Sequence, residues 1–327
     1  MNIIVVGLGS MGRRRIRLLK QINKDFNIAG VDSREDRCSK AVAEFVIRTF
    51  TDLQEAMSEM NPQCAVVSTS PLSHAGIIET CLQHNCNVFT ELNLVKDKYA
   101  SNIRLAQDRN KVLFLSSTCI YREEIRYIKK QVEQSASPLS YMYHIGQYLP
   151  DWHPWESIND FFVGDKKTNG CRELFAIELP WLTKTFGEVE SFEVISGKDT
   201  KLPLTYKDNY LLLVRHKGGT KGLLGVDVVS RKPARNLEIY GEDLYLTWDG
   251  TPSGLKMFDF EHKEDKEIKL YEAVDRQDGY ADFIIENGYL NELETFIGMV
   301  NGEGNAEYTF EDDLKVLELI DKIERGE

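Results

Sequence analysis

The feature that most constrains this 327-residue chain lies in its first thirteen residues. Ile3-Ile4-Val5-Val6 is an unbroken β-branched apolar run, the pattern of a strand buried on both faces of a parallel sheet. It leads straight into Gly7-Leu8-Gly9-Ser10-Met11-Gly12, and Ser10 to Gln21 then reads as a helix with Met11, Ile16, Leu18 and Leu19 as its apolar positions. Strand, Gly-x-Gly-x-x-Gly turn and helix, in that order, are the context of a dinucleotide-binding site. Gly7 permits the tight turn, Gly9 lets the backbone approach a pyrophosphate, and Gly12 lets the helix pack closely on its strand. The helix N-terminus offers N–H groups and a partial positive charge to the phosphates, so Leu8, Ser10 and Met11 join the glycines as cofactor-binding residues.

A second strand, Phe26 to Val31, ends in Asp32, twenty residues after Gly12. An acid there binds the adenosine ribose hydroxyls and favours NAD over a 2′-phosphate. Ser33 and Arg34 follow it, and an arginine beside that carboxylate can accept such a phosphate, which keeps NADP open. The plain alternative is an ordinary glycine turn, with Asp32 capping the next helix. Arg13-Arg14-Arg15 reads as a solvated face, with Arg13 within reach of a phosphate.

Downstream, apolar runs at Cys64–Ser68, Asn87–Thr90 and Val112–Ser116 alternate with helical patterns at Arg34–Phe45, Asp52–Met60, Pro71–Gln83, Lys96–Arg109 and Tyr121–Gln134. Such alternation implies right-handed βαβ units and a doubly wound parallel sheet, with ligands outside the carboxyl ends of the strands. Thr69, Ser70, Pro71, His74, Glu91 and Asn93 fall at those ends and are further cofactor candidates; Tyr121 and Arg122 are substrate candidates. His74, Tyr121 and Arg122 also have a structural reading, as helix-start or surface residues. Ser135-Ala136-Ser137-Pro138 breaks the pattern. Beyond it, strand-like runs at Tyr141–Tyr148, Glu190–Ser196, Asn209–His216, Gly222–Val229, Asn236–Tyr240 and Asp243–Trp248 surround one helix, Glu173–Phe186, and Tyr280–Asn301 and Phe310–Arg325 close the chain, the last from a Thr309 cap. The expected architecture is an α/β Rossmann domain over residues 1–120 and an α+β domain with a mainly antiparallel open sheet over 121–327, a substrate-binding and oligomerisation domain whose last helices pack back toward the first.

A net charge of −12 argues against a nucleic acid or an anionic membrane as the main partner. The six cysteines have no metal-ligand or C-x-x-C spacing, so reduced thiols and no metal are expected. A core strand beginning at the third residue leaves no signal peptide to expect, and no run approaches the roughly eighteen apolar residues of a membrane span. A cytoplasmic protein is the expectation.

Gly7–Gly12, Ser70-Pro71-Leu72-Ser73-His74, Tyr121-Arg122 and the closing YLNELETFIGMVNG…TFEDDLKVLELIDKI resemble the glucose–fructose oxidoreductase/inositol dehydrogenase (Gfo/Idh/MocA) family over nearly the whole chain. The resemblance implies NAD(P)-dependent oxidation or reduction of a sugar or polyol carbon. It also shows departures. The family's Glu-Lys-Pro motif stands here as Glu91-Leu92-Asn93, and an apolar Leu92 cannot polarise a reacting hydroxyl or carbonyl. The family's helix with an aspartate, a histidine and a second aspartate corresponds to Asn169–Trp181, which has no histidine.

The proton carrier is therefore sought among Glu173, Glu178 and His153. Glu173 and Glu178 are five apart, roughly 140° round a helix, so both facing one site is not assured. Glu178 lies in an apolar run, where burial raises a carboxyl pKa, or pairs it with Arg172 or a lysine as a strut. Gly146 to Glu156 carries Gln147, Trp152, His153 and Trp155 among prolines. Aromatic faces and hydrogen-bonding groups suit a sugar, with Gln147 and Trp152 as substrate contacts. The stretch also resembles relatives among surface-polysaccharide and nonulosonic-acid genes; the alternative is a loop whose tryptophans plug a core or interface. The expected function is an NAD(P)-dependent oxidoreductase acting on a sugar-like substrate, a homodimer or homotetramer through its C-terminal sheet. The alternatives are a dinucleotide-binding sensor without redox turnover and an NAD-assisted hydrolase or lyase.

Overall fold

The computed structural model describes residues 1–152, 162–272, 274 and 285–327. They fall into two compact units, Met1–Ser117 with Tyr289–Lys315, and Thr118–Gly288 with Val316–Glu327.

The first unit is built on six parallel strands, β1 (Asn2–Val6), β2 (Asn27–Val31), β3 (Arg48–Phe50), β4 (Cys64–Val67), β5 (Asn87–Thr90) and β6 (Leu113–Leu115). Between them run α1 (Ser10–Ile22), α2 (Glu35–Phe45), α3 (Leu53–Met60), α4 (Pro71–Gln83) and α5 (Tyr99–Asp108). The strand order is β3-β2-β1-β4-β5-β6. The direction of winding reverses between β1 and β4, which opens the ligand crevice of a doubly wound sheet beside the glycine turn. Ile3, Ile4, Val5 and all four residues of β4 are fully buried, as continuous apolar runs demand in a sheet covered on both faces.

β3 was not legible in the sequence. It is a three-residue edge strand with one buried residue, Phe50, under the Arg48 guanidinium. α2 begins one residue later than expected, with extended Arg34 as its N-cap. The Asp52 side chain caps α3 by accepting from the Glu55 N–H at 2.9 Å.

The second unit opens with a 3-10 turn over Thr118–Tyr121, so the helix expected from Tyr121 starts at Glu123 instead: α6 (Glu123–Gln134). It continues with β7 (Ser140–Gly146), α7 (Gly170–Phe186), β8 (Val189–Gly197), β9 (Asn209–His216), β10 (Lys221–Asp227), β11 (Ala234–Tyr240), β12 (Tyr245–Trp248), β13 (Lys256–Asp259) and β14 (Glu264–Glu267). The eight strands run β14-β13-β12-β11-β7-β10-β9-β8. Among the described residues only the β7·β10 pair of this sheet is parallel.

β7 alternates cleanly: Tyr141, Tyr143 and Ile145 are buried while Met142 and His144 point to the other face. α7 covers the tyrosine face, with Tyr143 edge-on to Trp181 and Tyr141 stacked on Phe186. The opposite face leaves Met142, Ile195, Leu211, Leu213 and Leu223 exposed. The β13–β14 hairpin escaped the sequence reading because β14 is Glu-Asp-Lys-Glu, fully exposed, the charged composition of a protected sheet edge.

The closing helices are α8 (Glu286–Val300) and α9 (Phe310–Arg325); the expected start of the former at Tyr280 lies outside the described residues. Thr309 caps α9, its Oγ1 accepting from the Asp312 N–H while Asp312 Oδ2 accepts from the Thr309 N–H. All six cysteines are buried free thiols. Among the described residues no helix is long and apolar enough to cross a membrane.

Candidate functional site

The glycine turn is shaped by backbone crowding. Gly7 has φ +93°, which favours glycine, and its N–H donates to the Val31 carbonyl at 2.8 Å. A Cβ on Gly12 would stand 1.8 Å from the Gly7 carbonyl oxygen, so only glycine lets α1 start against β1. A Cβ on Gly9, by contrast, would meet nothing nearer than Arg37 Nη1 at 3.8 Å. That open side, at a helix N-terminus with no side-chain cap on Gly9, is the space a pyrophosphate needs. These residues fit a dinucleotide.

Asp32 is held at the end of β2. Its Oδ2 accepts from the Leu8 N–H at 2.8 Å and its Oδ1 from the Arg34 N–H at 3.0 Å. The carboxylate thereby ties the glycine turn to the second strand, in the place where ribose hydroxyls are bound. Ser33 is exposed, and the Arg34 side chain turns onto Asp36.

Beyond β4, the Ser70-Pro71 start of α4 places proline at the first helical position. His74 is buried, with Nδ1 2.8 Å from Asn93 Oδ1 and Nε2 2.9 Å from the Thr69 carbonyl oxygen. Burial lowers its pKa, so its role is to brace the Thr69 and Asn93 loops. Cofactor candidates Thr69, Ser70, Pro71, His74, Glu91 and Asn93 thus gather at the ends of β4 and β5.

The arginine run corrects the sequence reading. Arg14 and Arg15 are buried, Arg15 completely. Its Nε and Nη2 donate to Glu91 at 2.5 and 3.0 Å, Nη2 also to Glu292 at 2.6 Å, and its plane lies 4.6 Å over the Phe89 ring. Ser116 donates to Glu292 as well. Burial works against the charge, but the two carboxylates overcome it and raise the arginine pKa. Glu91 therefore arrives at the crevice with its carboxylate already engaged. Local sequence carries no sign of this, because both acids are distant in the chain.

In the second unit the two glutamates of α7 separate. Glu178 is buried beneath the sheet, accepting from Tyr143 at 2.8 Å, Trp181 Nε1 at 2.6 Å and Arg235 at 2.5 Å. Its partner is Arg235 on β11, not Arg172, which instead binds Asp321 and Glu324. Glu173 differs: its Oε2 is enclosed and has no hydrogen-bond partner among the described residues. Desolvation pushes its carboxyl up to about 8.

The Trp152 indole lies 3.7 Å from the Cβ position of Gly170, one turn before Glu173, and donates to the Gln147 carbonyl at 3.2 Å. Gln147, Trp152 and the start of α7 are therefore neighbours. His153 lies outside the described residues. Tyr121 is enclosed, and Arg122 is buried on Glu124 at 2.6 Å and on the Gly250 carbonyl at 3.0 Å. His144 sits on the uncovered sheet face, Nε2 2.7 Å from Asp227.

A winding reversal, a glycine cradle and a ribose carboxylate define the first unit as a dinucleotide-binding Rossmann domain. Residues 1–115 match the Gfo/Idh/MocA family model, described as "Oxidoreductase family, NAD-binding Rossmann fold", so this part of the chain is similar to the NAD-binding domain of that family. No curated protein matches the chain in sequence.

Among solved structures, UDP-N-acetylglucosamine 3-dehydrogenase GnnA from Acidithiobacillus ferrooxidans is similar over 100% of this chain and 97% of its own, with 18% identity and a TM-score of 0.77. The WlbA dehydrogenase from Bordetella pertussis, in complex with NADH and UDP-GlcNAcA, is similar over 99% and 95%, at 16% identity and TM-score 0.80. Biliverdin reductase from Synechocystis sp. PCC 6803, with biliverdin and NADP+, is similar over 99% and 98%, at 16% and 0.74. At such identities the likeness is one of fold, and the three carry different substrates on it.

Proposed function

We propose that this protein is an NAD(P)-dependent oxidoreductase that moves a hydride to or from a CH–OH carbon of a sugar-like substrate, with Glu173 carrying the hydroxyl proton. The nicotinamide, when bound, supplies or takes the hydride. The observation that carries the reading is Glu173 itself, a half-buried carboxyl whose Oε2 is enclosed without a hydrogen-bond partner among the described residues and which desolvation pushes up to about 8.

At pH 7 such a group is mostly protonated. It can donate to a carbonyl oxygen during reduction and, once ionised, accept the hydroxyl proton during oxidation. Leu92 cannot do this, and Glu178 has its oxygens committed to Tyr143, Trp181 and Arg235. His153 is the second candidate. Trp152 beside the start of α7, with Gln147, offers an aromatic face and a hydrogen-bonding edge for a sugar ring. Tyr121, enclosed, and Arg122, engaged by Glu124 and the Gly250 carbonyl, are supports within the second unit rather than the substrate contacts their sequence position suggests. The UDP-sugar dehydrogenases among similar structures support a nucleotide-linked or acidic sugar.

The uncovered leucines of the second sheet support a homodimer or homotetramer built through that face. The deciding experiment follows absorbance at 340 nm with NAD or NADP and hexoses, amino sugars, uronic acids and nucleotide-linked sugars. Signal with one group names the substrate class. Silence together with measurable NAD binding favours a second reading, a dinucleotide sensor, which the substitution of Leu92 for the family lysine supports. Cofactor retained tightly through purification points instead to hydrolytic or eliminating chemistry.

A further inference from the structure

The ribose end of the dinucleotide site holds an arginine that the glycine pattern does not announce. Arg34 follows Asp32 closely in sequence, yet its Nε and Nη2 donate to Asp36 at 3.0 and 2.8 Å. Arg37, in the first turn of α2, is the one that reaches back: its Nη1 is 3.5 Å from Asp32 Oδ2. The same Nη1 is the nearest atom, at 3.8 Å, to a Cβ built on Gly9. One guanidinium thus stands between the carboxylate suited to ribose hydroxyls and the glycine suited to a pyrophosphate. The Arg37 side chain is 38% exposed against 6% for Asp32, so the carboxylate is anchored and the arginine has room to turn over it.

We propose that Arg37 sets the dinucleotide preference, offsetting the charge of Asp32 and presenting a guanidinium fork to a 2′-phosphate, so that NADPH binds about as well as NADH. An isolated Asp32 would repel that phosphate. A guanidinium beside it cancels the repulsion, and its planar donors match phosphate oxygens two at a time. With NADH, Asp32 accepts the ribose hydroxyls and Arg37 stays on Oδ2. With NADPH, Arg37 rotates to the phosphate while Asp32 keeps its bonds to Leu8 and Arg34. The inference rests on the dinucleotide site alone and is independent of the sugar substrate.

The test is calorimetric titration of the full chain with NADH and with NADPH, without substrate. Charge-assisted hydrogen bonds of this kind predict wild-type dissociation constants within about tenfold of each other, and an R37A variant about tenfold or more weaker for NADPH but changed less than about threefold for NADH. R37K should recover part of the NADPH affinity. D32N, which keeps a hydrogen-bonding side chain, should move the preference further toward NADPH. Equal losses for both ligands in R37A would assign the arginine to the pyrophosphate and overturn the proposal. So would a selective NADPH loss in R34A, or a wild-type preference for NADH beyond about a hundredfold. Failure of both dinucleotides to bind the folded wild-type protein would remove the dinucleotide reading along with it. Normal binding with an unresponsive preference would remove this inference alone.

Discussion

Glu173 and Glu178 share a helix and a chemistry, and their surroundings set them apart. Glu178 meets a guanidinium, a phenol and an indole, so it is a strut. Glu173 meets none among the described residues, and desolvation lifts it from an ordinary 4.5 to about 8. Because the folded pKa is raised, ionising Glu173 costs stability: the cost is absent below pH 4.5, grows as pH climbs through the window to 8, and is complete above it. E173Q should therefore flatten that fall in thermal stability between acid and alkaline pH. In turnover, E173Q should lower kcat/KM by about a hundredfold and abolish the pH-rate limb near 8, with NADH affinity unchanged. A full-rate variant with the wild-type profile would take Glu173 out of the chemistry. The periodicity of the sequence separated the two glutamates round the helix, but only the positions of Arg235 and Tyr143 told which one was neutralised.

At the scale of elements, α7 is the part on which the proposed chemistry leans. Its start is pinned by Asn169, whose Oδ1 accepts from the Arg172 N–H at 2.8 Å while its Nδ2 donates to Glu324 at 2.7 Å. N169A should cost about 1–2 kcal/mol in urea unfolding, as loss of an N-cap does. It should also reduce kcat more than it weakens NADH binding, because it loosens the turn that carries Glu173. An unchanged urea midpoint would show the cap to be dispensable. The long buried elements were legible because apolar runs and helical periodicity extend over enough residues to be read. β3 and the β13–β14 hairpin were not: a three-residue strand and an all-charged edge carry no such pattern.

At the scale of the molecule, the second sheet leaves one face uncovered. In strand register, Leu213, Leu223 and Met142 form one row, and Ile195, Leu211, Gly225 and His144 the next. Glu193 and Glu238 flank the first row, and Arg215 and Lys221 lie one row further along. An apolar centre with both signs of charge at its edge is self-complementary under a two-fold axis, which suits a second copy of this chain. Light scattering should give a mass of at least twice the monomer for the wild type and of the monomer for L213D, with the fold retained by circular dichroism. A wild-type monomer at micromolar concentration would remove this face as an interface between copies.

The chain by itself determined the Rossmann domain and its dinucleotide turn, because both depend on contiguous residues: a β-branched run, glycines where Cβ atoms cannot fit, and an acid at the end of the next strand. Tertiary structure alone decided what the charged residues do. Arg15, in a run that looked solvated, became the buried partner of Glu91 and Glu292, and Arg37 rather than Arg34 reached Asp32. Charges interact through space, over partners brought together from distant parts of the chain, and no local pattern records which of them will meet.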